Sequence, residues 1–518
     1  MQKTRGNILW VDDEIDHLKP HILFLEEKGY SIVTCANGKD GIDLSKNTVF
    51  DLVLLDQFMP GLDGMETLRG IKENNPALPI IMITKSDEEW LMDEAISEKI
   101  AQFLIKPVNP NQIFMACKQV LENIKIRSEK TNSGYLQEFQ KIEIDVEEAT
   151  SFNDWWRIYN RLVKWQLDFD EQKEVSLNQI LEEQIQSSNR KFTHFVEDNY
   201  EKWLVEKDRP NLSTDVFQKF VQPILMENTK VCMLVMDAIR LYQFMSLFPM
   251  LAENFPIRIE SSSSILPSST PFSRNAIFSG LFPEEFCRKY PEQLSAMSED
   301  RGSLNQFEKT FLKDQLTRAG LTDKSLHYHK IWAANEGQKF QSRVSEYLNL
   351  DLLAIVVNFV DQLAHRRSES DVIKEMVPDE SGYRHAVKVW YENSWIRSVL
   401  TDLGAAGYKI VLTSDHGSIM VNRSSMVAAD KHSSSGVRHK HGRNINANDK
   451  SALDIRNLES YKLPSLGHQN NYLLAKDDYF FLYPNEQHKY KNMLKGSFQH
   501  GGLSMEEMMV PIFIMDPK

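Results

Sequence analysis

The first part of the chain, residues 1–123, alternates short apolar runs with segments that carry apolar residues at helical spacing. The apolar runs predict five strands: Asn7–Val11, Ser31–Cys35, Leu52–Leu55, Ile80–Ile83 and Ala101–Ile105. The stretches between them, such as Ile15–Lys28 and Gly64–Asn74, have the pattern of amphipathic helices. Regular alternation of this kind is typical of a parallel sheet covered by helices on both faces. We therefore predict an α/β domain with a parallel five-stranded sheet.

The pattern changes in residues 124–208, which contain no strand-like run and few glycines. Thr131–Gly134 predicts a break after the first domain, and Ser151 with Asp154 resembles the start of a helix. One helical stripe collects five apolar side chains: Trp155, Ile158, Tyr159, Leu162 and Phe169. We interpret this region as a helical bundle linker domain whose tryptophans belong to its core.

Strands alternate with helices again in residues 209–518, with longer connections between them. The candidate strands are Val231–Met236, Leu353–Val357, Lys409–Thr413, Tyr479–Tyr483 and Pro511–Ile514. A polar stretch at about 424–466 interrupts the alternation, and its length predicts an inserted cap. The sequence thus predicts a second, larger α/β domain with an insertion.

The composition is that of a globular protein of several domains, with 518 residues of which 42% are hydrophobic and 26% charged. The net charge of −13 argues against broad attraction to nucleic acid or an anionic membrane. No sequence-specific DNA binding is expected, because no helix-turn-helix with a basic recognition helix is evident. The start lacks a signal-peptide pattern, and the longest apolar run, Leu350–Val360, is too short for a membrane span. The four cysteines lack metal-finger spacing, and we expect them to be reduced thiols. Together these features predict a cytoplasmic protein without membrane insertion.

Five polar residues follow the predicted strands of the first domain: Asp12, Asp13, Asp56, Thr84 and Lys106. Because the carboxyl ends of parallel strands meet at one edge of a sheet, we expect these side chains to lie together. Three crowded carboxylates need a hard cation, and Mg²⁺ with several retained waters suits them. Beside that cation the Asp56 carboxylate is placed to attack a phosphoryl group. Lys106 would pair with the phosphoryl oxygens, and Thr84 would donate a hydrogen bond to them.

These positions resemble the receiver domain of bacterial response regulators, which has a flavodoxin-like fold. The stretch Asp56–Gly64 and the pair Lys106-Pro107 stand where that family has them. The resemblance implies that a sensor histidine kinase phosphorylates Asp56. It also implies a magnesium site formed by Asp12, Asp13 and Asp56. The conformational switch would be formed by Thr84, Phe103 and Lys106. Lys85 departs from the pattern, because the family usually has a small residue at that position.

Potential metal ligands follow several of the later strands. They are Asp237, Asp361 with His365, the adjacent pair Asp415 and His416, and His500. An aspartate and a histidine four residues apart lie on one face of a helical turn. Mixed carboxylate and imidazole ligands in this number are what zinc accepts, and catalytic zinc sites leave one position open.

The fixed order Asp, DxxxH, DHG and HGG resembles the alkaline phosphatase superfamily, and the ending HGGLSMEEMMVP resembles its PglZ branch. The resemblance implies an alkaline-phosphatase-like fold and a metal-dependent phosphohydrolase. It also implies two zinc ions, one bound by Asp361, His365 and His500, and the other by Asp237, Asp415 and His416.

Thr270 is the predicted nucleophile. It immediately precedes Pro271, which is favoured in a first helical turn, and backbone N–H groups at a helix N-terminus favour an anion. A hydroxyl bound to zinc loses its proton more easily. The stretch is similar to the nucleotide pyrophosphatase/phosphodiesterase branch, in which the nucleophilic threonine stands ten residues before a turn glycine, as Thr270 stands before Gly280. Ser268 and Ser269 remain alternatives.

The inserted stretch also carries His432 and a basic cluster, Arg438–Arg443. These residues offer contacts for a phosphate group. A solvated basic loop is the simpler interpretation, and we expect it to hold.

A receiver, a helical middle and a PglZ-type hydrolase together resemble the PorX-type response regulators linked to type IX secretion. The resemblance implies a homodimer on phosphorylation and hydrolysis of phosphodiesters in nucleotides or short oligonucleotides. The preference for diesters over monoesters comes from the resemblance alone. The alternative is a phospho-switched protein that binds a sigma factor or secretion component and whose metal site is structural. Thr270 together with six ligands favours the enzyme, since a structural zinc site needs no nucleophile.

Overall fold

A computed structural model describes the chain except residues 1–4, 86–99, 173–174, 293–294, 296–304, 429–435, 444, 466–470 and 485–486. The chain divides into two compact units, Met1–Leu136 and Gln137–Lys518. Most of the helical middle therefore belongs to the same unit as the larger α/β domain. None of the described helices is both long and apolar enough to cross a membrane.

The first unit contains a five-stranded sheet in the order β2-β1-β3-β4-β5, with all neighbours parallel, as the sequence predicts. Its strands are β1 Gly6–Val11, β2 Tyr30–Cys35, β3 Leu52–Asp56, β4 Ile80–Thr84 and β5 Gln102–Ile105. Its helices are α1 Lys19–Glu27, α2 Gly38–Asn47, α3 Gly64–Asn74 and the start of α4 Pro110–Glu148. Successive residues of a strand point to opposite faces. Both faces of β3 are buried, with Leu52 and Leu54 in one core and Val53 and Leu55 in the other, which explains its continuous apolar run.

The helix α4 is continuous through the predicted domain break at Thr131–Gly134, and the boundary between the two compact units lies just after it, at Leu136. Thr, Asn and Ser lower helix propensity only slightly, and a single glycine about 1 kcal/mol, so a long helix tolerates them. The two helices that follow are α5 Phe152–Gln172 and α6 Val175–Trp203. The predicted apolar stripe of α5 is confirmed, since its five members expose at most 2% of their surface.

The second unit is built on a seven-stranded mixed sheet in the order β6-β8-β19-β11-β7-β10-β9. These strands are β6 Asn211–Leu212, β7 Val231–Met236, β8 Ile257–Ser263, β9 Leu326–Ile331, β10 Leu352–Val357, β11 Lys409–Thr413 and β19 Met509–Met515. The three central strands β11, β7 and β10 are parallel, and β19 runs antiparallel to both of its neighbours. The parallel centre brings the carboxyl ends of β7, β10 and β11 to one edge.

Helices cover both faces of this sheet, and apolar clusters lie on either side of it. The described helices of this unit after α6 are α7 Gln222–Met226, α8 Leu241–Ala252, α9 Thr270–Ser279, α10 Pro283–Lys289, α11 Glu308–Arg318, α12 Ala334–Ser342, α13 Phe359–Glu369, α14 Asp371–Met376, α15 Glu380–Asn393, α16 Trp395–Ala405, α17 Gln487–Leu494 and α18 Met505–Met508. Short 3₁₀ or π turns occur at Ile15–Leu18, Ser213–Asp215, Phe217–Val221 and Val344–Tyr347.

The stretch predicted to be an inserted cap contributes strands to small sheets. Its strands and their partners are β12 Ile419–Val421, β13 Arg423–Met426, β14 His439–Gly442, β15 Ala452–Ile455, β16 Asn471–Ala475, β17 Tyr479–Leu482 and β18 Ser497–Gln499. Strand β17 pairs with β13 and is not a strand of the large sheet.

The expectation of a solvated basic loop at Arg438–Arg443 is wrong. Arg438, Lys440 and His441 are buried. Arg438 binds the carboxylate of Glu507, and the Lys440 ammonium lies 4.1 Å from the ring centre of Tyr483. Charge pairing and aromatic contact thus replace the solvent. His432, the other basic residue named in this stretch, lies outside the described residues.

Candidate metal centres and nucleophile

The carboxylates of the first unit meet at the carboxyl edge of its sheet. Asp12, Asp13 and Asp56 each bring one oxygen within 4.8 Å of the others. Lys106 lies beside them, with its Nζ 2.8 Å from Asp56 Oδ1 and 3.1 Å from Asp12 Oδ2. Burial raises the pKa of the Asp56 carboxyl, and the Lys106 ammonium opposes that rise. The group is therefore a cluster of negative charge with one cation, suited to a hard divalent ion.

The two remaining residues of the predicted switch belong to β4 and β5, and Lys85 directly follows β4. Thr84 is buried at the end of β4, and its carbonyl accepts a hydrogen bond from the backbone N–H of Lys106 at 2.6 Å. Phe103 lies half-buried in β5 and packs against one of the two cores. The Nζ of Lys85 is 3.3 Å from the Oε2 of Glu14, so this unusual lysine is paired with a carboxylate at the same edge.

The first ligand group of the second unit lies at the ends of two adjacent parallel strands. Asp237 directly follows β7, and Asp415 and His416 follow β11. The Ser414 hydroxyl donates to the carbonyl of Met236 at 2.7 Å, which joins the two strand ends. The three ligand atoms lie within 4.8 Å of one another, and all three side chains are buried.

The second ligand group is formed by Asp361, His365 and His500, whose ligand atoms also lie within 4.8 Å of one another. Asp361 and His365 stand on α13, which begins just after β10, and His500 follows β18. Burial alone would raise the pKa of Asp361, but the adjacent histidines His365 and His500 hold it well below its usual range. His365 is half-exposed, so this group faces the solvent side of the site.

The two groups are neighbours, because the ring centres of His416 and His500 are 4.2 Å apart. Burial and the nearby carboxylates of Asp415 and Asp361 raise the pKa of Asp237 well above its usual value. Burial, together with His416, lowers the pKa of His500, which keeps this imidazole neutral. Among the described residues, Asp415 Oδ2 and His500 Nδ1 are buried and make no hydrogen bond. Buried carboxylates and neutral imidazoles with unused lone pairs fit divalent metal ions, and the mixed donor set fits zinc.

Thr270 is the hydroxyl that the structure brings to these ligands. It begins α9, and its Oγ1 lies 3.0 Å from His416 Nε2 and 3.5 Å from Asp237 Oδ1. Gly280 ends the same helix in the left-handed conformation, with a φ of 63° that suits glycine. Ser268 is instead directed away, since its hydroxyl donates to the carbonyl of Gly502 at 2.7 Å. Ser269 is fully buried at the N-cap position of the helix, where its hydroxyl makes no capping hydrogen bond.

Arg274 is a site residue that the sequence reasoning missed. It lies one helical turn after Thr270 and is buried. Its Nη1 donates to Asp237 Oδ2 at 2.6 Å and to Asn358 Oδ1 at 3.0 Å, and its Nε donates to Glu308 Oε1 at 2.5 Å. The Asp237 carboxylate thus turns one oxygen to the arginine and the other towards Thr270. The i, i+4 spacing from Thr270 was the available signal in the sequence.

The carboxyl-terminal motif is held by Glu507, which the sequence reasoning also left without a role. Its carboxylate accepts hydrogen bonds from Arg438 Nε at 2.8 Å, Arg438 Nη2 at 2.6 Å, the Gly502 N–H at 2.9 Å and the Ser504 hydroxyl at 2.8 Å. Both Arg438 and Glu507 are fully buried. Four charge-assisted hydrogen bonds therefore fix the loop that follows His500.

The helical middle contacts the same loops. The Tyr200 hydroxyl of α6 accepts a hydrogen bond at 2.7 Å from the N–H of Leu266, four residues before Thr270. The Asn189 side chain donates to both oxygens of Glu506 at 2.9 and 3.0 Å, and its carbonyl accepts from the Met505 N–H at 2.8 Å. Two segments of the candidate site are thus bonded directly to α6.

Three family models match the chain. A response regulator receiver domain matches residues 8–118, a PorX response regulator linker domain matches residues 125–204, and a BREX system PglZ alkaline phosphatase-like domain matches residues 216–515.

Curated relatives are similar to the first part of the chain. The transcriptional regulatory protein ResD of Bacillus subtilis is 34% identical over 120 residues, which are 23% of this chain and 50% of ResD. The transcriptional regulatory protein ZraR of Klebsiella oxytoca is 32% identical over 126 residues, which are 24% of this chain and 28% of ZraR. The chain thus spans half or less of the length of these relatives.

Solved receiver structures cover a similar share of the chain. A CheY-like receiver domain protein from Methanospirillum hungatei is 27% identical, with a TM-score of 0.22, and covers 23% of this chain and 94% of its own. A receiver domain protein from Clostridium thermocellum is 28% identical, with a TM-score of 0.22, and covers 23% of this chain and 98% of its own. The PglZ model, by contrast, matches more than half of the chain. The chain belongs to the PglZ alkaline phosphatase-like family and, with a receiver and a PorX linker domain preceding that domain, is a PorX-type response regulator.

Proposed function

We propose that this response regulator is phosphorylated on Asp56 by a histidine kinase and that its output is a zinc-dependent phosphodiesterase acting on nucleotides or short oligonucleotides. One observation carries the enzymatic part of the proposal. The Thr270 hydroxyl stands at a helix N-terminus, 3.0 Å from His416 Nε2, with the second ligand group beside it. A purely structural metal site would not require a nucleophilic hydroxyl beside its ligands.

Zinc bound by Asp237, Asp415 and His416 and by Asp361, His365 and His500 would acidify the nucleophile and offset charge on the substrate oxygens. Thr270 Oγ1 forms a bond to phosphorus while the bond from phosphorus to the leaving alkoxide breaks. Water then attacks the phosphothreonine, which releases the monoester and restores the hydroxyl. The α9 N-terminus directs backbone N–H groups to the phosphoryl oxygens. Arg274 holds the Asp237 carboxylate in place through the oxygen that faces away from Thr270.

The proposed substrate class follows from the family resemblance and is supported by the openness of one ligand group. His365 exposes 52% of its side chain, so the Asp361 group meets the solvent. The substituent that distinguishes a diester from a monoester has room on that side. Regulation of type IX secretion is the physiological role that we propose for this activity, through the PorX-type resemblance.

The receiver supports the regulatory part of the proposal. Asp56 lies in a group with Asp12 and Asp13 that suits Mg²⁺, and Lys106 is within 2.8 Å of its carboxylate. Phosphorylation adds charge beside Thr84 and Phe103, and we propose that the resulting change produces a homodimer. The alternative function is a phospho-switched binder of a sigma factor or secretion component, which a metal-containing but inactive protein would favour.

Metal analysis and turnover on the same preparations test the enzymatic proposal. We expect about two zinc ions per chain, since six ligands divide into two groups of three. Thr270→Ala should keep its zinc and its fold but lose several orders of magnitude in turnover of bis(p-nitrophenyl) phosphate. Thr270→Ser is the matched control, because it retains a hydroxyl. Wild-type turnover that persists in Thr270→Ala, or protein purified without chelator that contains no zinc, contradicts the proposal.

A further inference from the structure

Trp332 is an exposed aromatic side chain beside the candidate active site. It exposes 48% of its surface and is the one exposed Phe, Tyr or Trp among the described residues of the second unit. It immediately follows β9, whose neighbour β10 leads into the helix that carries Asp361 and His365. The exposed indole therefore offers a flat aromatic surface to a ligand at the carboxyl edge of the sheet.

The backbone of Trp332 is held on both sides. Its N–H donates to Glu336 Oε2 at 2.8 Å, at the start of α12. Its carbonyl accepts a hydrogen bond at 2.8 Å from the side chain of Gln362, the residue after the proposed ligand Asp361. The indole is therefore carried on a fixed backbone beside a ligand of the second group, and a fixed aromatic face binds a ligand with little loss of conformational entropy.

A continuous set of contacts also joins Trp332 to the nucleophile. Lys330 Nζ lies 5.3 Å from the centre of the Trp332 ring and donates to the carbonyl of Asn305 at 3.0 Å. The Asn305 side chain donates to the carbonyl of Thr270 at 3.1 Å. Two residues, Lys330 and Asn305, thus connect the indole to Thr270 through direct contacts.

The charge of Lys330 is already neutralised, which decides what the indole can recognise. Lys330 Nζ is 3.0 Å from Glu308 Oε2, and Glu308 also binds Arg274. Lys330 is therefore not a free cation for a second phosphate. The exposed aromatic face is the feature that remains for contact, and it suits a flat aromatic ligand such as a nucleobase, whose π-face stacks on tryptophan with little dependence on sequence.

We infer that Trp332 is a specificity-determining residue that stacks on a nucleobase of the substrate next to the scissile phosphodiester. The inference rests on the proposed function and narrows its substrate to diesters that carry a base within reach of the indole. Binding of a base on this platform orients the phosphate and lowers KM. It leaves the chemistry to Thr270.

The test compares full-length wild type, Trp332→Ala and Trp332→Phe, with Trp156→Ala as a matched control. Trp156 is a partly exposed tryptophan on α5. Calorimetry would measure the affinity for dithymidylate and for its abasic counterpart, with Thr270→Ala added to each protein so that neither ligand is hydrolysed during the titration. Turnover would be measured with thymidine 5′-(p-nitrophenyl phosphate) and with methyl p-nitrophenyl phosphate. Stacking on an aromatic side chain contributes about 1–3 kcal/mol per base, so the affinity ratio between the two ligands should fall about tenfold in Trp332→Ala. Trp332→Phe should retain most of that ratio, and Trp156→Ala all of it.

The two proposals fail in different ways. A ratio that is unchanged in Trp332→Ala overturns the stacking inference, even if all variants hydrolyse both diesters. A wild type that hydrolyses neither diester overturns the proposed function, while a base-dependent affinity that is lost in Trp332→Ala would still support the indole as a base-binding residue. If KM of Trp332→Ala rises for the thymidine ester alone and kcat is unchanged, both the stacking inference and the proposed function are supported.

Discussion

Removal of the Arg274 side chain offers a sharp test of how the candidate site is built. Arg274→Met keeps most of the apolar stem but leaves Asp237 and Glu308 without their shared cation, and both carboxylates expose 3% or less. Breaking a buried ion pair by removing one partner typically destabilises a protein by about 3–5 kcal/mol. Glu308 keeps two other partners, Lys330 and the Tyr328 hydroxyl, so most of the loss should come from Asp237.

The loss of stability in Arg274→Met should therefore depend on whether zinc is bound. In metal-free Arg274→Met the Asp237 carboxylate keeps only the His416 ring as a basic neighbour among the described ion pairs, with Nε2 3.8 Å from Oδ1, and we expect a loss of about 3–5 kcal/mol in the free energy of unfolding. In zinc-loaded protein the metal would neutralise part of the Asp237 charge, so the loss should be smaller than in metal-free protein. Arg274→Lys keeps the positive charge but loses the planar guanidinium. Its free energy of unfolding should lie between those of wild type and Arg274→Met.

Urea unfolding followed by intrinsic fluorescence, with and without zinc, measures these differences. Arg288→Met is the matched control, because Arg288 exposes 72% of its side chain and pairs with Glu284 on the surface of α10. Its midpoint should change little. If Arg274→Met and Arg288→Met unfold at the same urea concentration in both metal states, the buried arginine does not stabilise the site and our reasoning is refuted.

Two further predictions concern pH and phosphorylation. Burial raises the pKa of Glu506 from 4.5 to about 7, so the stability it contributes is fully present below about pH 4.5 and is lost as the pH rises through 7. Glu506→Gln should remove a pH-dependent difference of about 3 kcal/mol between those limits, and a urea midpoint with the same pH dependence in both proteins would refute this. Beryllofluoride with Mg²⁺ should convert wild type from monomer towards dimer in light scattering and raise diester turnover, whereas Asp56→Ala should stay monomeric. A wild type that also stays monomeric with the phosphoryl analogue bound would reject the dimer.

The predictable parts of the fold are the helices whose apolar residues recur at helical spacing and the strands formed by continuous apolar runs. Strands β7, β10 and β11 are buried on both faces, so their unbroken apolar runs mark them and place the ligands that follow them. Strands β8 and β9 were missed because they carry polar residues along much of their length, such as the serines after Glu260 and the two histidines of β9. β9 is an edge strand, where such residues are tolerated.

The sequence could not show which charged side chains pair with each other in the folded protein. The ligand positions were evident from spacing, but nothing in the sequence pairs Arg438 with Glu507, which are 69 residues apart. The basic cluster was interpreted as solvated for that reason. Arg274 was equally hidden, since a charged residue on a helix is usually at the surface and only the fold reveals the carboxylates around it.

The hydrogen bonds from α6 have a consequence for how such a protein can be taken apart and recombined. A fragment that begins at residue 209 would lack Tyr200, leaving the buried N–H of Leu266 without its acceptor, and Asn189, leaving Glu506 without its donor. The Leu266 N–H alone would destabilise the fragment by about 1–3 kcal/mol. In evolution, a crossover at that boundary would yield a poorly folded hydrolase, whereas a crossover nearer residue 136 would keep its supports. Receivers can thus be exchanged between lineages more freely than the helices that follow them, and those helices should be inherited together with the hydrolase.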